Sequence, residues 1–191
     1  SEEKNRESWN CHSDEYQRKH HDLLAEKPMA WGVWRIAEAD LNILGEVEGL
    51  DILELGCGAA QWTIALIHAG AHAVGIDLSE RQLDHARRAC RQLRLATPLI
   101  HGSGESLPFR DNSFDVVFCD HGATSFSRPE ITISEASRVL RAGGVLAFCM
   151  SSPIRDICWD GQTDQISRCL ASDYFGLHLL EDDDEICYQL P

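Results

Sequence analysis

The sequence predicts a single α/β domain built on a mainly parallel, doubly wound sheet with flanking helices. Its 191 residues suffice for one substantial core and are too few for two ordinary domains. From residue 51 onward, short apolar runs alternate with helix-like segments. Such alternation is typical of parallel strands that are covered by helices on both faces.

Residues 1–48 are predicted to form an N-terminal helical cap on this domain. Residues 1–8 are polar and are expected to be frayed. Apolar residues then recur at steps of three and four, which predicts an amphipathic helix over 8–25, ended by Pro28. A second helix is predicted to follow from about Trp31 to Leu44.

Residues 49–152 are predicted to contain the Rossmann-like core, with strands separated by helices. The predicted strands are 52–55, 73–76, 99–101, 114–119 and 145–150. The predicted helices are 60–69, 79–93 and 129–140. Ser79 is a good N-cap, with Gln82 three residues later as the partner in a capping box. Gly143 and Gly144 are predicted to end the last helix.

Residues 153–191 are predicted to be an abbreviated C-terminal segment of the same domain. A helix is indicated around 163–172, and the acidic run at 181–185 is interpreted as a solvated loop. No strand–helix–strand succession follows the fifth strand, so the C-terminal strands are predicted to be missing or abbreviated. The fifth strand would then be an exposed edge, which a second copy of the chain could cover as a homodimer.

The charge and hydropathy of the chain argue against two classes of partner. A net charge of −14 repels phosphate backbones, and the sequence has no cluster of Lys and Arg residues that could bind them locally. We therefore do not expect nucleic acid as a partner. No apolar run approaches the roughly 20 residues that cross a bilayer, and the first residues lack an apolar signal core. We therefore expect a soluble, cytoplasmic protein with no membrane partner.

The eight cysteines are scattered without paired or framework spacing, and they are interpreted as reduced, mostly buried thiols. Cys11, His12, His20 and His21 are of metal-ligating types, but their spacing matches no zinc pattern. The sequence therefore predicts no metal site.

The segment DILELGCGAAQW places two glycines, Gly56 and Gly58, between an apolar strand and a helix. Glycines are needed at such a turn where a ligand approaches the backbone, and the helix N-terminus offers free N–H groups. Asp77 ends the next strand, where a carboxylate can accept hydrogen bonds from both ribose hydroxyls. Together these residues indicate a cofactor that contains adenosine.

Three side chains near this turn distinguish among such cofactors. A dinucleotide site requires glycine or alanine at the sixth position of GxGxxG, where this chain has Gln61, followed by Trp62. Glu54 adds a negative charge close to the loop, which suits an ammonium group better than phosphates. A nicotinamide-dependent oxidoreductase is therefore the less favoured enzyme.

A set of five ordered motifs resembles the class I S-adenosylmethionine-dependent methyltransferases of the small-molecule type. The motifs cover roughly residues 50–150 and are ELGCG (54–58), VGIDLS (74–79), GESLPF (104–109), DNSFDVV (111–117) and EASRVLRAGG (135–144). The resemblance implies a Rossmann-like fold, S-adenosyl-L-methionine as the cofactor and a small-molecule acceptor.

The resemblance also implies roles for individual residues. Glu54, Gly56 and Gly58 are implied to surround the methionine part and the sulfonium. Asp77 would hold the ribose, with Gln82 on the ribose side and Leu78 against adenine.

Gly104 and Glu105 are implied to lie at the adenine edge, and Asp120 and His121 to face the methyl-transfer site. Further candidate cofactor-binding residues are Cys57, Gln61, Trp62 and Ser106. Tyr16 and Trp31 are candidate pocket residues from the N-terminal cap, with a packing role in the core as the alternative.

Two positions depart from the family pattern. Ala60 stands where the family often has a third glycine, and Ser103 stands where an acidic residue often binds the adenine amino group. Backbone groups or Glu105 are candidates to replace that acid.

The sequence therefore predicts transfer of a methyl group to a small, uncharged or cationic acceptor. His121 is the candidate general base, with a structural histidine as the alternative. A further alternative is a non-catalytic module that retains the fold and binds the cofactor or a partner. Sequence motifs for a fold and a cofactor do not identify the acceptor.

Overall fold

A computed structural model describes residues 2–161, 163, 165–176, 179–181 and 186–188. The α-helices are α1 (Glu2–Glu26), α2 (Glu38–Leu41), α3 (Gln61–His68), α4 (Glu80–Leu93), α5 (Ala123–Phe126), α6 (Pro129–Val139) and α7 (Pro153–Ile157). The strands are β1 (Ala30–Trp31), β2 (Ile36–Ala37), β3 (Asp51–Leu55), β4 (His72–Asp77), β5 (Leu99–His101), β6 (Phe114–Asp120), β7 (Leu140–Cys149), β8 (Trp159–Asp160), β9 (Gln165–Ile166), β10 (Leu179–Glu181) and β11 (Ile186–Tyr188).

The central sheet contains five parallel strands in the order β5-β4-β3-β6-β7. Its apolar strand residues pack on both faces, as expected for parallel strands covered by helices. One face packs against α3 through Trp62 and Leu66, and the other packs against α6 through Ala136 and Val139. The predicted α/β, doubly wound architecture is confirmed.

The first helix is longer than the predicted 8–25, because it begins at Glu2. Asn5 explains the difference. Its side chain is fully buried, and it donates to the carbonyls of Phe126 (2.7 Å) and Ile186 (2.8 Å) while its oxygen accepts from the Ile186 amide (2.7 Å). These tertiary contacts order the polar residues at the start of α1, which the local sequence pattern predicted to be frayed.

The predicted helix from Trp31 to Leu44 is wrong over most of its length. Residues 30–37 form the antiparallel pair β1–β2, and only α2 is helical. Gly32 (φ +63°) and Arg35 (φ +51°) lie in the left-handed region at the turn, which a continuous helix does not allow. Trp31 packs inward and donates its indole N–H to buried Glu38.

Ser79 caps α4 as predicted, and its hydroxyl oxygen accepts a hydrogen bond from the Gln82 amide (3.1 Å). The predicted capping box is not formed, because the Ser79 amide donates to Asp77 (2.8 Å) and the Gln82 side chain accepts from Gln17.

The end of α6 also differs from the prediction. Helix α6 ends at Val139, and β7 then runs through Gly143 and Gly144 instead of starting after them. A Cβ at Gly144 would lie 2.8 Å from the Asp115 carbonyl, so this glycine permits close strand pairing at a register shift.

The described residues after β7 form α7, one 3₁₀ turn and two small antiparallel pairs, β8–β9 and β10–β11, that do not join the main sheet. The predicted helix at 163–172 is wrong for the described residues there, where β9 lies. Of the acidic run predicted as a loop at 181–185, Glu181 ends β10, and residues 182–185 lie outside the described residues. Among the residues that the structure describes, β7 has no strand on its outer edge.

No helix in the described part of the chain is long and apolar enough to span a membrane. The carboxyl ends of β3, β4 and β6 meet at one edge of the sheet, where the connections to α3, α4 and α5 begin. In open α/β sheets, ligands bind outside the carboxyl ends of the strands. This edge is therefore where the fold places a candidate site.

Candidate active site

A cavity of 490 Å³ lies at the carboxyl edge of the sheet and beneath α1. Its floor comes from the turns after β3, β4 and β6, and its roof comes from α1 and the β1–β2 turn. Its volume is in the range of sites that enclose a cofactor or a small substrate. The N-terminal cap and the carboxyl edge of the sheet thus enclose this cavity between them.

The turn between β3 and α3 exposes backbone to this cavity. Gly56 (φ +70°), Gly58 (φ +53°) and Ala60 (φ +62°) all adopt left-handed conformations. A Cβ at Gly56 would lie 2.5 Å from the Ala123 amide nitrogen and 2.7 Å from Gly122 Cα. The turns after β3 and β6 are therefore packed backbone against backbone. Ala60 stands where the family pattern often has glycine, and its left-handed conformation is one that glycine adopts without steric cost.

Glu54 is buried at the base of the cavity. One carboxylate oxygen accepts from the Thr63 amide (2.9 Å) and from the Thr63 hydroxyl. Burial raises the pKa of Glu54 to about 8, against the lowering effect of these two hydrogen bonds. An ammonium group beside this carboxyl would favour its charged form and provide the missing countercharge.

Asp77 is held in a fixed orientation at the end of β4. Its two oxygens accept from the Gly58 amide (2.8 Å) and the Ser79 amide (2.8 Å). Burial raises the pKa of this carboxyl, and the two backbone hydrogen bonds oppose that rise. A carboxylate offers about four lone-pair sites. Asp77 can therefore still accept hydrogen bonds from a diol in the cavity.

An acidic side chain reaches the cavity beside Ser103, but it is not Glu105. The Ser103 hydroxyl donates to Glu2 (3.0 Å), and both residues line the cavity. Glu105 instead binds the Arg128 guanidinium (2.6 and 2.8 Å) and does not line the cavity. The carboxylate at this edge therefore comes from the first turn of α1.

Helix α1 is attached to α4 across the top of the cavity by polar contacts. Gln17 donates to the Gln82 side chain (2.9 Å) in a buried contact, and Asp14 binds both Arg81 (2.6 Å) and His85 (2.8 Å). The contacts with Arg81 and His85 lower the pKa of Asp14 to about 2. These contacts hold the middle of α1 against the start of α4.

Asp120 and His121 lie at the other end, where β6 ends. The Asp120 carboxylate accepts from the Gly32 amide (2.8 Å) and the Trp62 indole (3.4 Å). His121 has φ +53°, a costly conformation for a non-glycine residue. Its Nε2 lies 3.6 Å from Cys149 Sγ. The apolar lining next to Gly32 and along the last turns of α1 includes Val33, Leu23 and Leu24, whereas Phe126 lies beside Asn5 and Trp9 near the start of α1.

All but three of the residues predicted for the site line this cavity. Those that line it are Tyr16, Glu54, Gly56, Cys57, Gly58, Gln61, Trp62, Asp77, Leu78, Gln82, Gly104, Asp120 and His121. Trp31 lies behind the cavity in the core, with its ring 5.0 Å from that of Trp62. Glu105 pairs with Arg128, and Ser106 is exposed on the surface.

Several lining residues were not among the predicted site residues. Most come from the roof, and they include Glu2, Asn5, Trp9, Gln17, His20, Leu23, Leu24, Gly32, Val33 and Arg35. Steps of three and four along α1 were visible in the sequence for Trp9, His12, Tyr16 and His20. The pattern indicated a helix without showing that its buried face covers a cavity.

The fold and this cavity define a protein of the methyltransferase class. A family model described as a methyltransferase domain matches residues 53–148, about half of the chain. The chain therefore belongs to the methyltransferase domain family, and the resemblance seen in its motifs is confirmed.

Particular relatives give this family assignment more detail. The chain is 31% identical over 143 residues to the demethylmenaquinone methyltransferase of Staphylococcus saprophyticus, covering 73% of this chain and 59% of that protein. It is 35% identical over 121 residues to the demethylmenaquinone methyltransferase of Clavibacter sepedonicus, covering 61% of this chain and 46% of that protein. The chain thus spans only about half of these relatives' length.

A solved structure with a related fold is the [4+2]-cyclase SpnF. It superposes with a TM-score of 0.52 at 29% identity, covering 56% of this chain and 42% of that one. The name describes a reaction other than methyl transfer. The fold therefore accommodates more than one chemistry, and function has to be argued from the residues of the cavity.

Proposed function

We propose that this protein transfers a methyl group from S-adenosyl-L-methionine to an apolar small molecule. The observation that carries the proposal is a pair of carboxyl groups, Glu54 and Asp77, that line the cavity beside the glycine turn. Burial raises the pKa of Glu54 to about 8, and a bound ammonium group would favour its charged form. This environment opposes a pyrophosphate and favours a cofactor with an ammonium and a sulfonium group. It therefore argues against the nicotinamide dinucleotide considered from sequence.

In this proposal the cofactor lies across the carboxyl ends of β3 and β4. Asp77 accepts from the ribose hydroxyls, Glu54 faces the ammonium group, and Gly56 and Gly58 allow the methionine part to approach the backbone. Leu78 and Gly104 border the adenine, because both line the cavity beyond Asp77. The family membership of the chain supports the same placement.

We assign binding of the adenine amino group to the Glu2 carboxylate. Glu2 would replace the acidic residue that the family often has at the position of Ser103. The Ser103 hydroxyl holds the Glu2 carboxylate at the cavity edge (3.0 Å). Replacing Glu2→Gln should weaken S-adenosylmethionine binding about three- to tenfold, since a charge-assisted hydrogen bond becomes a neutral one. Isothermal titration calorimetry measures the change. Glu7→Gln, on an exposed part of α1, is the matched control, and equal affinities for the two variants would contradict the assignment.

The acceptor is placed at the end of the cavity near Asp120, where the wall is apolar. Leu23, Leu24 and Val33 form a rim, and Leu23 and Val33 are 50% and 75% exposed. An apolar acceptor would cover these groups. The named relatives act on demethylmenaquinone, and a quinone-type ring with an apolar tail fits such a rim. We therefore propose an acceptor of this class, which is narrower than the uncharged or cationic molecule predicted from sequence.

In such a reaction the residues of the chain mainly position the acceptor, because the methyl group is already activated on the cofactor. S-adenosylmethionine supplies a methyl group on a positively charged sulfur, which departs as a neutral thioether and keeps the electrons of the broken bond. The cavity aligns the acceptor's nucleophilic atom with that bond and excludes water. The acceptor loses one proton, and His121 remains the predicted base that would receive it.

Transfer of a labelled methyl group tests the proposed function. The chain is incubated with tritium-labelled S-adenosylmethionine and chemically reduced demethylmenaquinone, and extracted lipid is counted. We expect label in the lipid with the wild-type chain and at least a tenfold loss with Asp77→Asn. Cofactor binding without transfer to any acceptor in a metabolite extract would instead support the non-catalytic module. Binding of NADH in place of S-adenosylmethionine would support the oxidoreductase.

Two further expectations concern partners and stay predictions. The net charge of −14 still argues against nucleic acid as a partner. The outer edge of β7 carries Val145 and Phe148, which are 41% and 40% exposed. A homodimer that covers this edge would be detected as a doubled mass by light scattering, and a monomer at all concentrations would exclude it.

A further inference from the structure

Three side chains of metal-ligating types converge at the acceptor end of the cavity. Asp120, His121 and Cys149 each offer one ligand atom, and these atoms lie within 4.8 Å of one another. The sheet brings them together, because Asp120 and Cys149 are paired across β6 and β7. The His121 amide then donates to the Cys149 carbonyl (2.9 Å), which fixes the imidazole beside the thiol.

The spacing of the sulfur and the imidazole matches tetrahedral coordination. Cys149 Sγ and His121 Nε2 are 3.6 Å apart. A tetrahedral zinc ion with a Zn–S distance of about 2.3 Å and a Zn–N distance of about 2.05 Å sets these atoms roughly 3.6 Å apart. One ion can therefore bind both atoms with little movement of either. One oxygen of the Asp120 carboxylate lies within 4.8 Å of both atoms and is the third candidate ligand.

The surroundings of the three residues resemble the support that metal ligands receive. The Gly32 amide (2.8 Å) and the Trp62 indole (3.4 Å) donate to the Asp120 carboxylate and orient it. A Cβ at Gly32 would lie 3.0 Å from Cys149 Sγ and 3.5 Å from His121 Nε2. Glycine at the β1–β2 turn therefore leaves room directly above the thiol and the imidazole.

The ligand set indicates both the kind of ion and the position left open. A thiol and an imidazole favour Zn²⁺ or a similar transition metal over Mg²⁺ or Ca²⁺, which bind oxygen. Three protein ligands with a vacant fourth position are typical of catalytic zinc sites. Asp120 and His121 line the cavity, whereas Cys149 does not. An ion held by all three would therefore face the cavity with its fourth position.

We propose that Asp120, His121 and Cys149 bind a divalent transition-metal ion of the Zn²⁺ type, whose open position takes an oxygen of the acceptor. The thiol releases its proton to solvent as the metal–sulfur bond forms. The bound cation then lowers the pKa of an acceptor hydroxyl, which releases its proton to solvent and becomes the nucleophilic anion or activates the adjacent ring carbon. The second part rests on the proposed function, whereas metal binding does not. Metal binding would replace the role of base predicted for His121, because the ring nitrogen that binds the ion has no free lone pair to accept the proton.

This site also explains why the sequence predicted no metal. Asp120 and His121 are adjacent, but Cys149 follows 28 residues after His121. This separation is longer than the ligand spacings within zinc motifs. Parallel pairing of β6 and β7 is what juxtaposes them.

Cobalt substitution tests the metal site directly, without cofactor or acceptor. The chain is freed of metal by dialysis against a chelator and titrated with Co²⁺, and absorption spectra are recorded. We expect a sulfur-to-cobalt charge-transfer band and visible bands of tetrahedral intensity that saturate at one ion per chain. Zn²⁺ should abolish both, because it competes for the same ligands. Absence of the bands in the wild-type chain would overturn the proposal.

Matched variants identify the ligands. Cys149→Ser should lose the charge-transfer band, and His121→Gln should weaken Co²⁺ binding at least tenfold. Cys158→Ser should keep both, since Cys158 is a half-buried thiol at the end of α7, away from the cavity. A band that survives in Cys149→Ser but disappears in Cys158→Ser would place the metal elsewhere and overturn the assignment.

The role toward the acceptor is tested by methyl transfer with and without metal. Transfer should fall at least tenfold after chelation and return with Zn²⁺, while calorimetric affinity for S-adenosylmethionine stays unchanged. Undiminished transfer by the metal-free chain would overturn this role. A chain that binds cobalt but not S-adenosylmethionine would instead refute the proposed function and leave the metal site supported.

Discussion

Gly56 and Gly122 show how individual positions keep the cavity open. A Cβ on Gly122 would lie 2.7 Å from the carbonyl oxygens of Leu55 and Gly56, and one on Gly56 would collide with Gly122 and Ala123. Two turns that belong to adjacent strands thus meet without any side chain between them. This contact determines how far the residues after β6 lie from the glycine turn, and hence the shape of the cavity floor.

Replacing Gly122→Ala should therefore destabilise the chain and distort the site. We expect a loss of about 1–3 kcal/mol in the free energy of unfolding, typical of overpacking, measured by urea denaturation. Gly161→Ala is the control, because a Cβ at Gly161 meets nothing within 4 Å. Equal stability of the two variants would contradict the close packing of these turns.

The pKa of Glu54 predicts how stability depends on pH. Its value is 4.5 in the absence of perturbation and about 8 in the ligand-free fold, because of burial. Between these values the folded chain retains a proton that the unfolded chain has lost, so stability should fall as pH rises from about 4.5 to 8. The contribution of this one group is on the order of a few kcal/mol.

Urea denaturation at several pH values measures this effect. Glu54→Gln should flatten the pH dependence over that window, because glutamine does not titrate. Saturating S-adenosylmethionine should also flatten it, since an ammonium group would favour the charged carboxylate. An identical slope for wild type and Glu54→Gln would show that burial does not raise the pKa of this carboxyl.

At the scale of elements, α4 shows a helix whose ends follow local rules. Ser79 caps its start. At its end the chain turns at Arg94 (φ +55°), with the Leu95 amide donating to the Cys90 carbonyl (2.9 Å). This is the Schellman arrangement, in which glycine is the usual residue at the left-handed position.

Arg94→Gly should therefore stabilise the chain by about 1 kcal/mol, because glycine adopts this conformation without steric cost. Arg91→Gly is the matched control, since Arg91 lies in the last turn of the same helix. There glycine should cost about 1 kcal/mol. Thermal unfolding of both variants measures the two changes, and a destabilised Arg94→Gly variant would contradict the assigned conformation.

The elements of the core were predictable because each has a strong local signal. The five strands are short apolar runs between turn residues, and Ser79 marks the start of α4. The β1–β2 pair gave no such signal. Each of its strands has only two residues, too few to show an alternating pattern. The conformation depends on tertiary contacts such as the one between Trp31 and Glu38.

At the scale of the whole molecule, the floor of the site could be predicted and its roof could not. Residues of the floor lie within the motifs that follow β3, β4 and β6. The roof depends on long-range contacts, such as Asn5 with Ile186 and Ser103 with Glu2. Cys149 and His121 are 28 residues apart in the sequence, and the pairing of β6 with β7 brings them together. No local pattern contains this information.

The proposed function divides two tasks between parts of the molecule. The turns after β3 and β4 would present glycines and carboxylates to a positively charged cofactor. The end of β6 and the N-terminal cap would surround the acceptor with apolar side chains and a convergent set of ligand atoms. Family membership supports the first task more directly than the second, because the matched residues 53–148 leave the cap outside.

Calorimetric titration of the intact chain with S-adenosylmethionine tests the central claim most directly. We expect saturable binding at one site, no heat with NADH, and a loss of at least tenfold in affinity with Asp77→Asn, which removes the charged acceptor for the ribose hydroxyls. Circular dichroism confirms that the variant is folded. Failure of the folded wild-type chain to bind S-adenosylmethionine, or preferential binding of NADH, would contradict the account.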